Sequence, residues 1–173
     1  MRVPRPLTID EFAAFNVDYR AILGEWDVVV DGQIPIARSN VALPGNPSSD
    51  ILLYGVSYTV PAREPSRSFF ISAAPEPATV RPGETTPDAL REKTASAMLD
   101  IQTRLTALER DWSDVTALGI YTAHDLHTFL EAEIIAVMGP AAVHGVHWYY
   151  GAPPIVGIEI EIDIRAINQE HRL

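Results

Sequence analysis

Hydrophobic residues recur at helical spacing in two long segments of the chain. Thr8 and Glu11 have the spacing of a capping box, which predicts a helix that begins at Ile9. Thr86 can cap a second, longer helix whose first residue is Pro87. Each helix carries one apolar stripe that we expect to be buried. The stripes consist of Phe12, Phe15, Tyr19, Ile22 and Leu23 in the first helix, and of Leu90, Ala97, Met98, Ile101, Leu105, Leu108 and Trp112 in the second.

Segments rich in β-branched and aromatic residues predict strands, and a shorter helical pattern ends at Gly139-Pro140. The predicted elements after the first helix are strands over residues 51–60 and 68–73, the long helix, a strand over residues 115–122, a helix over residues 126–138 and two strands within residues 143–167. The last two strands are expected to form a hairpin with a tight turn at Ala152-Pro153-Pro154. The order β-β-α-β-α-β-β predicts an α/β fold with both helices on one face of a mixed sheet.

The first fifty residues have a different pattern. Asp31-Gly32 is a favoured two-residue turn, which predicts a hairpin between residues 26–30 and 33–37. Residues 39–50 are rich in turn residues and mark the single candidate boundary. We therefore expect residues 1–50 to form an N-terminal extension and residues 51–173 to form the main domain.

Composition excludes several classes of protein. The formal net charge of -10 disfavours binding to a phosphate backbone, so nucleic acid is not an expected partner. The chain lacks cysteine, which excludes disulfides, thiolate nucleophiles and thiolate metal sites. No apolar run has the length needed to span a bilayer, and the first residues lack the apolar core of a signal peptide. We expect a cytoplasmic protein without a membrane partner.

Acidic residues alternate with isoleucines near the end of the chain. Glu159, Glu161 and Asp163 share one face of a strand with Arg165, and the isoleucine face should lie under the helices. Neighbouring carboxylates repel one another, so at least one is expected to have a raised pKa suited to proton exchange. The alternative is a solvated or intersubunit stripe that basic groups neutralise.

Histidines and aromatic residues supply the other candidates. His144 and Trp148 fall on one face of the same predicted strand, where His144 would lie across the hairpin from the acidic residues and could hold an anionic substrate. Trp148 could line a pocket for a flat, conjugated substrate. The alternatives are a structural histidine and simple aromatic packing.

A second histidine pair raises the question of a metal. His124 and His127 have a spacing compatible with shared coordination, although Asp125 between them can instead cap the following helix. His144 and His147 are also three positions apart, but side chains at odd separations on a strand point to opposite faces. We expect neither a metal nor another cofactor, and no nucleophile elbow is present.

The segment from Ala142, AVHGVHWYYGAPPIVGIEIEIDIRAI, resembles the end of the RidA/YjgF family of enamine and imine deaminases, and SFFISAAPEPA resembles a strand and loop of the form VFVSGQIPLDP in the same family. The resemblance implies a RidA-like fold, a homotrimer and substrate sites in clefts between subunits. The family's water-positioning glutamate corresponds to Glu159. The substrate-binding positions correspond to His144, where the family has arginine, to Ala73, where it has glycine, and to Ser72 and Tyr54.

This resemblance implies a hydrolase that converts an enamine or imine of a small carboxylic acid to the oxo acid and ammonia. Loss of the arginine favours a divergent branch such as the 2-aminomuconate deaminases, whose long conjugated substrate would suit the aromatic run from Trp148 to Tyr150. The alternative is a non-catalytic ligand-binding or assembly protein of the same fold, because loss of an anchor residue is also what such a protein would show.

Overall fold

The structure, a computed structural model, describes residues 1–34, 36–45, 49–56 and 66–167. Its strands are β1 (Arg2–Val3), β2 (Val41–Ala42), β3 (Phe69–Pro75), β4 (Ala117–Thr122), β5 (His147–Tyr150) and β6 (Glu161–Ala166). Its α-helices are α1 (Ile9–Glu25), α2 (Pro87–Ala107) and α3 (Ala136–Met138). The four longer strands form one mixed sheet, so the predicted α/β class is confirmed.

The strand order is β3-β6-β4-β5, with β6 antiparallel to both neighbours and β5 parallel to β4. The predicted hairpin between the last two strands is therefore wrong, because β4 lies between them. The connecting segment does not form a tight turn. Instead Ala152 bridges to Ala42 and Ile155 bridges to Leu7, so the N-terminal segment pairs with the residues that join β5 to β6.

Both long helices begin as predicted. Thr8 and Glu11 form the reciprocal hydrogen bonds of a capping box, and α1 begins at Ile9. Thr86 caps α2 by accepting a hydrogen bond from the N–H of Ala89, with Pro87 as the first helical residue. The stripe of α2 is buried as expected, except that Leu108 is exposed at the C-terminal end of the helix.

The predicted helix over residues 126–138 is shorter and irregular. A π-helical turn at Glu131–Ile135 runs into α3, and a 3-10 helix at Gly139–His144 follows directly. The chain thus remains helical past Gly139-Pro140. As a result, β5 begins only at His147, and His144 lies outside the strand on which it was predicted.

Two predicted strand regions form no strands in their described residues. Asp31-Gly32 forms the predicted two-residue turn, which reciprocal hydrogen bonds between Val30 and Gln33 close, but the pairing stops at this single bridge, and Pro35 lies outside the described residues. Residues 51–56 form one bridge, between Leu52 and Arg2, while residues 57–65 lie outside the described part. Neither segment has an apolar face buried against the sheet: Val30, Leu53, Tyr54 and Val56 are exposed.

The core lies between the helices and one face of the sheet. Ile160, Ile162 and Ile164 are fully buried in it, which confirms the predicted side for the isoleucines. Residues of α2 supply much of the opposing layer, among them Met98 and Ile101. Complete burial of one such side chain stabilises the fold by roughly 2 kcal/mol. Within the described ranges, no helix is both long and apolar enough to cross a membrane.

Candidate functional site

A carboxylate and an imidazole meet at the end of the sheet. Glu159 Oε2 lies 2.6 Å from His124 Nε2. The side chains are 22% and 30% exposed, respectively, so the pair is sheltered but open to solvent on one side. Such a pair can accept a proton from water and return it to a substrate, which is the requirement for general acid–base catalysis.

Thr122, the last residue of β4, positions both partners. Its Oγ1 donates a hydrogen bond to the Glu159 carbonyl at 2.8 Å and accepts one from the His124 N–H at 3.1 Å. The register of the strands explains the meeting, because Tyr121 pairs with Glu161. His124 follows the end of β4 by two residues, and Glu159 precedes β6 by two residues on the neighbouring strand.

A buried ion pair fixes the backbone beneath this site. The Glu76 carboxylate accepts hydrogen bonds from the N–H groups of Glu159 at 2.7 Å and Ile160 at 2.9 Å. Lys93 Nζ from α2 lies 3.4 Å from Glu76 Oε1, and both side chains are 1% exposed. Burial raises the pKa of Glu76, while the two N–H groups and Lys93 act in the opposite direction. The Glu76–Lys93 pair therefore fixes the backbone at Glu159.

An aromatic wall adjoins the acid–base pair. Trp148 Nε1 donates a hydrogen bond to the Thr122 carbonyl at 3.2 Å, and its ring centroid lies 5.1 Å from that of His127. Asp125 Oδ1 accepts the His127 N–H at 2.9 Å and lies 2.6 Å from His127 Nδ1. Asp125 thus makes the expected capping bond, but over an exposed turn ahead of the π-helical segment.

The two histidines of this loop bind different carboxylates. His124 contacts Glu159, whereas His127 contacts Asp125. Across the residues that the structure describes, no group of three or more histidine, cysteine, aspartate or glutamate side chains is arranged to hold a metal ion.

Only some of the predicted site residues come together. Glu159 and Trp148 meet around Thr122. His144 is exposed at the end of its 3-10 helix, and β4 separates β5 from β6, so His144 does not lie across a hairpin from the acidic residues as predicted. Tyr54 is exposed, with the Arg2 guanidinium 4.2 Å above its ring.

Ser72 and Ala73 lie on the irregular part of β3, where the register with β6 shifts between Ile71 and Ala74. Ser72 Oγ accepts a hydrogen bond from the Arg38 N–H at 2.7 Å, so this region of β3 contacts the N-terminal segment. His124 is the functional candidate that sequence reasoning missed, because its spacing to His127 suggested a metal ligand. Its position just after a strand was the available signal.

Glu161 and Asp163, the two acids that lie on β6, are buried within the chain and therefore do not form a solvated stripe. Ser39 Oγ and Tyr121 Oη donate hydrogen bonds to Asp163 Oδ2 at 2.9 and 2.6 Å. Burial and the nearby Asp163 charge raise the pKa of Glu161 to about 8, and burial also raises the pKa of Asp163. The raised pKa that the sequence predicted for at least one acid therefore occurs at Glu161 and Asp163, which the N-terminal segment covers.

Together these features define an α/β protein with a sheltered glutamate–histidine pair at the end of a mixed sheet and an aromatic wall beside it. Residues 1–171 match the family described as "2-aminomuconate deaminase CnbZ", and the chain belongs to this family. The match includes the first fifty residues.

Two individual proteins are also similar to the chain. A 2-amino-5-chloromuconate deaminase from Comamonas testosteroni is 30% identical over 181 residues, covering 98% of this chain and 71% of the relative. The structure of a candidate endoribonuclease from Thermotoga maritima is 18% identical and matches with a TM-score of 0.40, covering 62% of this chain and 84% of the other. The family membership confirms the 2-aminomuconate deaminase branch that the resemblance suggested.

Proposed function

We propose that this chain is a deaminase that hydrolyses an enamine or imine of a muconate-like amino dicarboxylic acid, with Glu159 and His124 as its acid–base pair. Support comes from the family, from the relative named as a 2-amino-5-chloromuconate deaminase, and above all from the 2.6 Å contact between Glu159 and His124. That contact provides the proton-transfer groups that such a hydrolysis needs.

The reaction follows from the chemistry of a conjugated enamine. A proton gained at carbon and one lost from nitrogen convert the enamine to its imine. Water then adds to the imine carbon: Glu159 takes the proton that the water loses, and His124 gives a proton to the nitrogen, which yields the neutral carbinolamine. Glu159 passes its proton to His124, which protonates the nitrogen again; ammonia leaves as the C–N bond breaks, and Glu159 takes the hydroxyl proton as the carbonyl forms. One water is consumed and one ammonia is released, without a change of oxidation state or a need for a redox cofactor.

The surroundings of the pair suit this sequence of steps. Thr122 and Glu76 hold the backbone at Glu159, which keeps the carboxylate in place during proton transfer. The Trp148 indole, which donates a hydrogen bond to the Thr122 carbonyl, offers an apolar ring surface near the pair. A planar, conjugated substrate could lie against that surface with its imine carbon toward Glu159.

Ammonia release from enzymatically generated 2-aminomuconate tests the proposal. Glu159→Gln and His124→Gln should each lower kcat by about 10²-fold or more, the scale of general acid–base catalysis. Glu133→Gln is the matched control, because Glu133 is a partly buried carboxylate, 17% exposed, in an ion pair with Arg91. The control should retain wild-type activity.

Two outcomes would contradict the proposal. If Glu159→Gln and His124→Gln release ammonia as fast as Glu133→Gln, the pair does not carry the reaction. If the wild-type protein binds amino dicarboxylates without releasing ammonia from any of them, it is a non-catalytic binding protein.

A further inference from the structure

A second cleft lies between α1 and β3, away from the acid–base pair. Its volume is about 350 Å³, enough for a small organic molecule. The residues that line it are Asn16, Tyr19, Arg20, Ile34, Ile36, Arg38 and Ser72. This lining contains two arginines and no carboxylate, in a chain whose formal net charge is -10.

Arg38 contacts aromatic rings and an amide, and the nearby Glu161 carboxyl acts on its charge without a direct ion pair among the described residues. Its guanidinium carbon lies 4.2 Å from the centroid of the Tyr19 ring and 5.1 Å from that of Phe15. Its Nη2 donates a hydrogen bond to Asn16 Oδ1 at 2.5 Å. No ion pair of Arg38 with a carboxylate occurs in the described residues, and its buried Nη1 has no hydrogen-bond partner there. Desolvation lowers the pKa of Arg38, so burial of this cation has a free-energy cost that a bound anion would offset.

The other polar groups of the cleft are also left with hydrogens to donate. Asn16 Oδ1 already accepts from Arg38, which leaves the amide nitrogen of Asn16 as donor. Ser72 Oγ already accepts from the Arg38 N–H, which leaves its hydroxyl hydrogen free to donate. Arg20 adds a second guanidinium at the same cleft. A site whose available groups are donors and cations selects an anion.

We propose that this cleft is a binding site for a small organic carboxylate, with Arg38, Asn16 and Ser72 binding the carboxylate and Ile34 and Ile36 contacting its carbon chain. The apolar walls favour an organic acid over inorganic phosphate. Arg20 can bind a second carboxylate of the same ligand, which favours a dicarboxylate.

The cleft is separate from the site at Glu159. Neither Glu159 nor His124 is among the residues that line it. The inference therefore does not depend on the proposed deaminase activity.

Calorimetric titration with cis,cis-muconate and with inorganic phosphate tests the assignment. The wild-type protein should bind muconate more tightly than phosphate. Arg38→Gln and Ser72→Ala should each weaken muconate binding, by at least tenfold for Arg38→Gln. Arg67→Gln is the charge-matched control, because Arg67 is an exposed arginine paired with Asp114, and it should bind as the wild type does. Glu133→Gln, which alters neither this cleft nor the Glu159–His124 pair, should also bind as the wild type does.

Several results would overturn the proposal. They are binding that survives both Arg38→Gln and Ser72→Ala, phosphate binding as tight as that of muconate, and absence of muconate binding. If Arg38→Gln does not fold, Ser72→Ala and Arg20→Gln decide the question, since neither side chain is buried.

Discussion

At the scale of single residues, burial separates three acids that look equivalent in sequence. Glu159 remains partly exposed and contacts a histidine, whereas Glu161 and Asp163 are closed off by the N-terminal segment. Glu161 Oε1 and Asp163 Oδ1 are buried without a hydrogen-bond partner in the described residues. Such groups favour their neutral forms, and burial accordingly raises the pKa of both Glu161 and Asp163.

The pKa of Glu161 predicts how stability depends on pH. The folded value of about 8 exceeds the ordinary value of 4.5, so between these pH values the folded protein binds a proton that the unfolded chain has released. This contribution to the free energy of unfolding is complete below pH 4.5 and is lost as the pH rises through about 8. The loss is at most about 1.4 kcal/mol per pH unit.

Glu161→Gln should therefore flatten the decline of stability between pH 5 and 8, as measured by urea unfolding at several pH values. Glu84→Gln, at an exposed carboxylate paired with Arg81, should leave the decline unchanged. Equal pH slopes for the wild type and Glu161→Gln would show that the carboxyl of Glu161 does not titrate in this range.

At the scale of elements, local signals predicted the helices better than the strands. The Thr8 and Thr86 caps identified both helix starts, because a cap is formed by residues that are close in sequence. The predicted hairpin failed because strand pairing depends on distant residues. Here Ala42 and Leu7 pair with the segment between β5 and β6, and no pattern within that segment indicates this.

The candidate site was likewise predictable from local sequence signals only in part. Alternation of residues was enough to place the isoleucines in the core, whereas the resemblance to the RidA/YjgF family selected Glu159 among the three acids. The histidine that contacts Glu159 could not be identified from spacing in the sequence, because His124 follows a strand and His144 precedes one. Only the register of β4 with β6 brings His124 to Glu159 and leaves His144 exposed.

The Glu76–Lys93 pair provides a prediction at this scale, because it connects α2 to the chain ahead of β6. Lys93→Met should leave the buried Glu76 without its cation and lower the free energy of unfolding by about 3 kcal/mol. Ammonia release should also fall, since Glu76 binds the N–H of Glu159.

Arg91→Met on the same helix removes an exposed cation and should lower the free energy of unfolding by less than about 1 kcal/mol. Chemical denaturation of both variants checks this. A Lys93→Met protein as stable as Arg91→Met would be inconsistent with a structural role for the pair.

At the scale of the whole molecule, we propose assembly into a homotrimer with composite sites. β5 is an edge strand of the four-stranded sheet, and Tyr150 at its end is exposed. Val143, in the preceding 3-10 helix, is 84% exposed. Exposed apolar side chains beside an unpaired strand edge are typical of a surface that another subunit covers.

Light scattering at micromolar concentration should give three times the subunit mass of 19.0 kDa. Val143→Glu should shift the protein toward smaller species, because it places a charge on the proposed interface. Val17→Glu, at an equally apolar and exposed position of α1, should not. A monomeric wild-type protein would remove the composite-site proposal and leave the Glu159–His124 pair as a site within one chain.

The most direct test of the whole account is a double-mutant cycle on kcat for ammonia release, using Glu159→Gln, His124→Gln and the double variant. If the two side chains act as one acid–base unit across their 2.6 Å contact, the double variant should be no slower than the slower single variant. If the losses of the two single variants instead multiply in the double variant, or if neither single variant loses activity, the pair is not the catalytic unit of this protein.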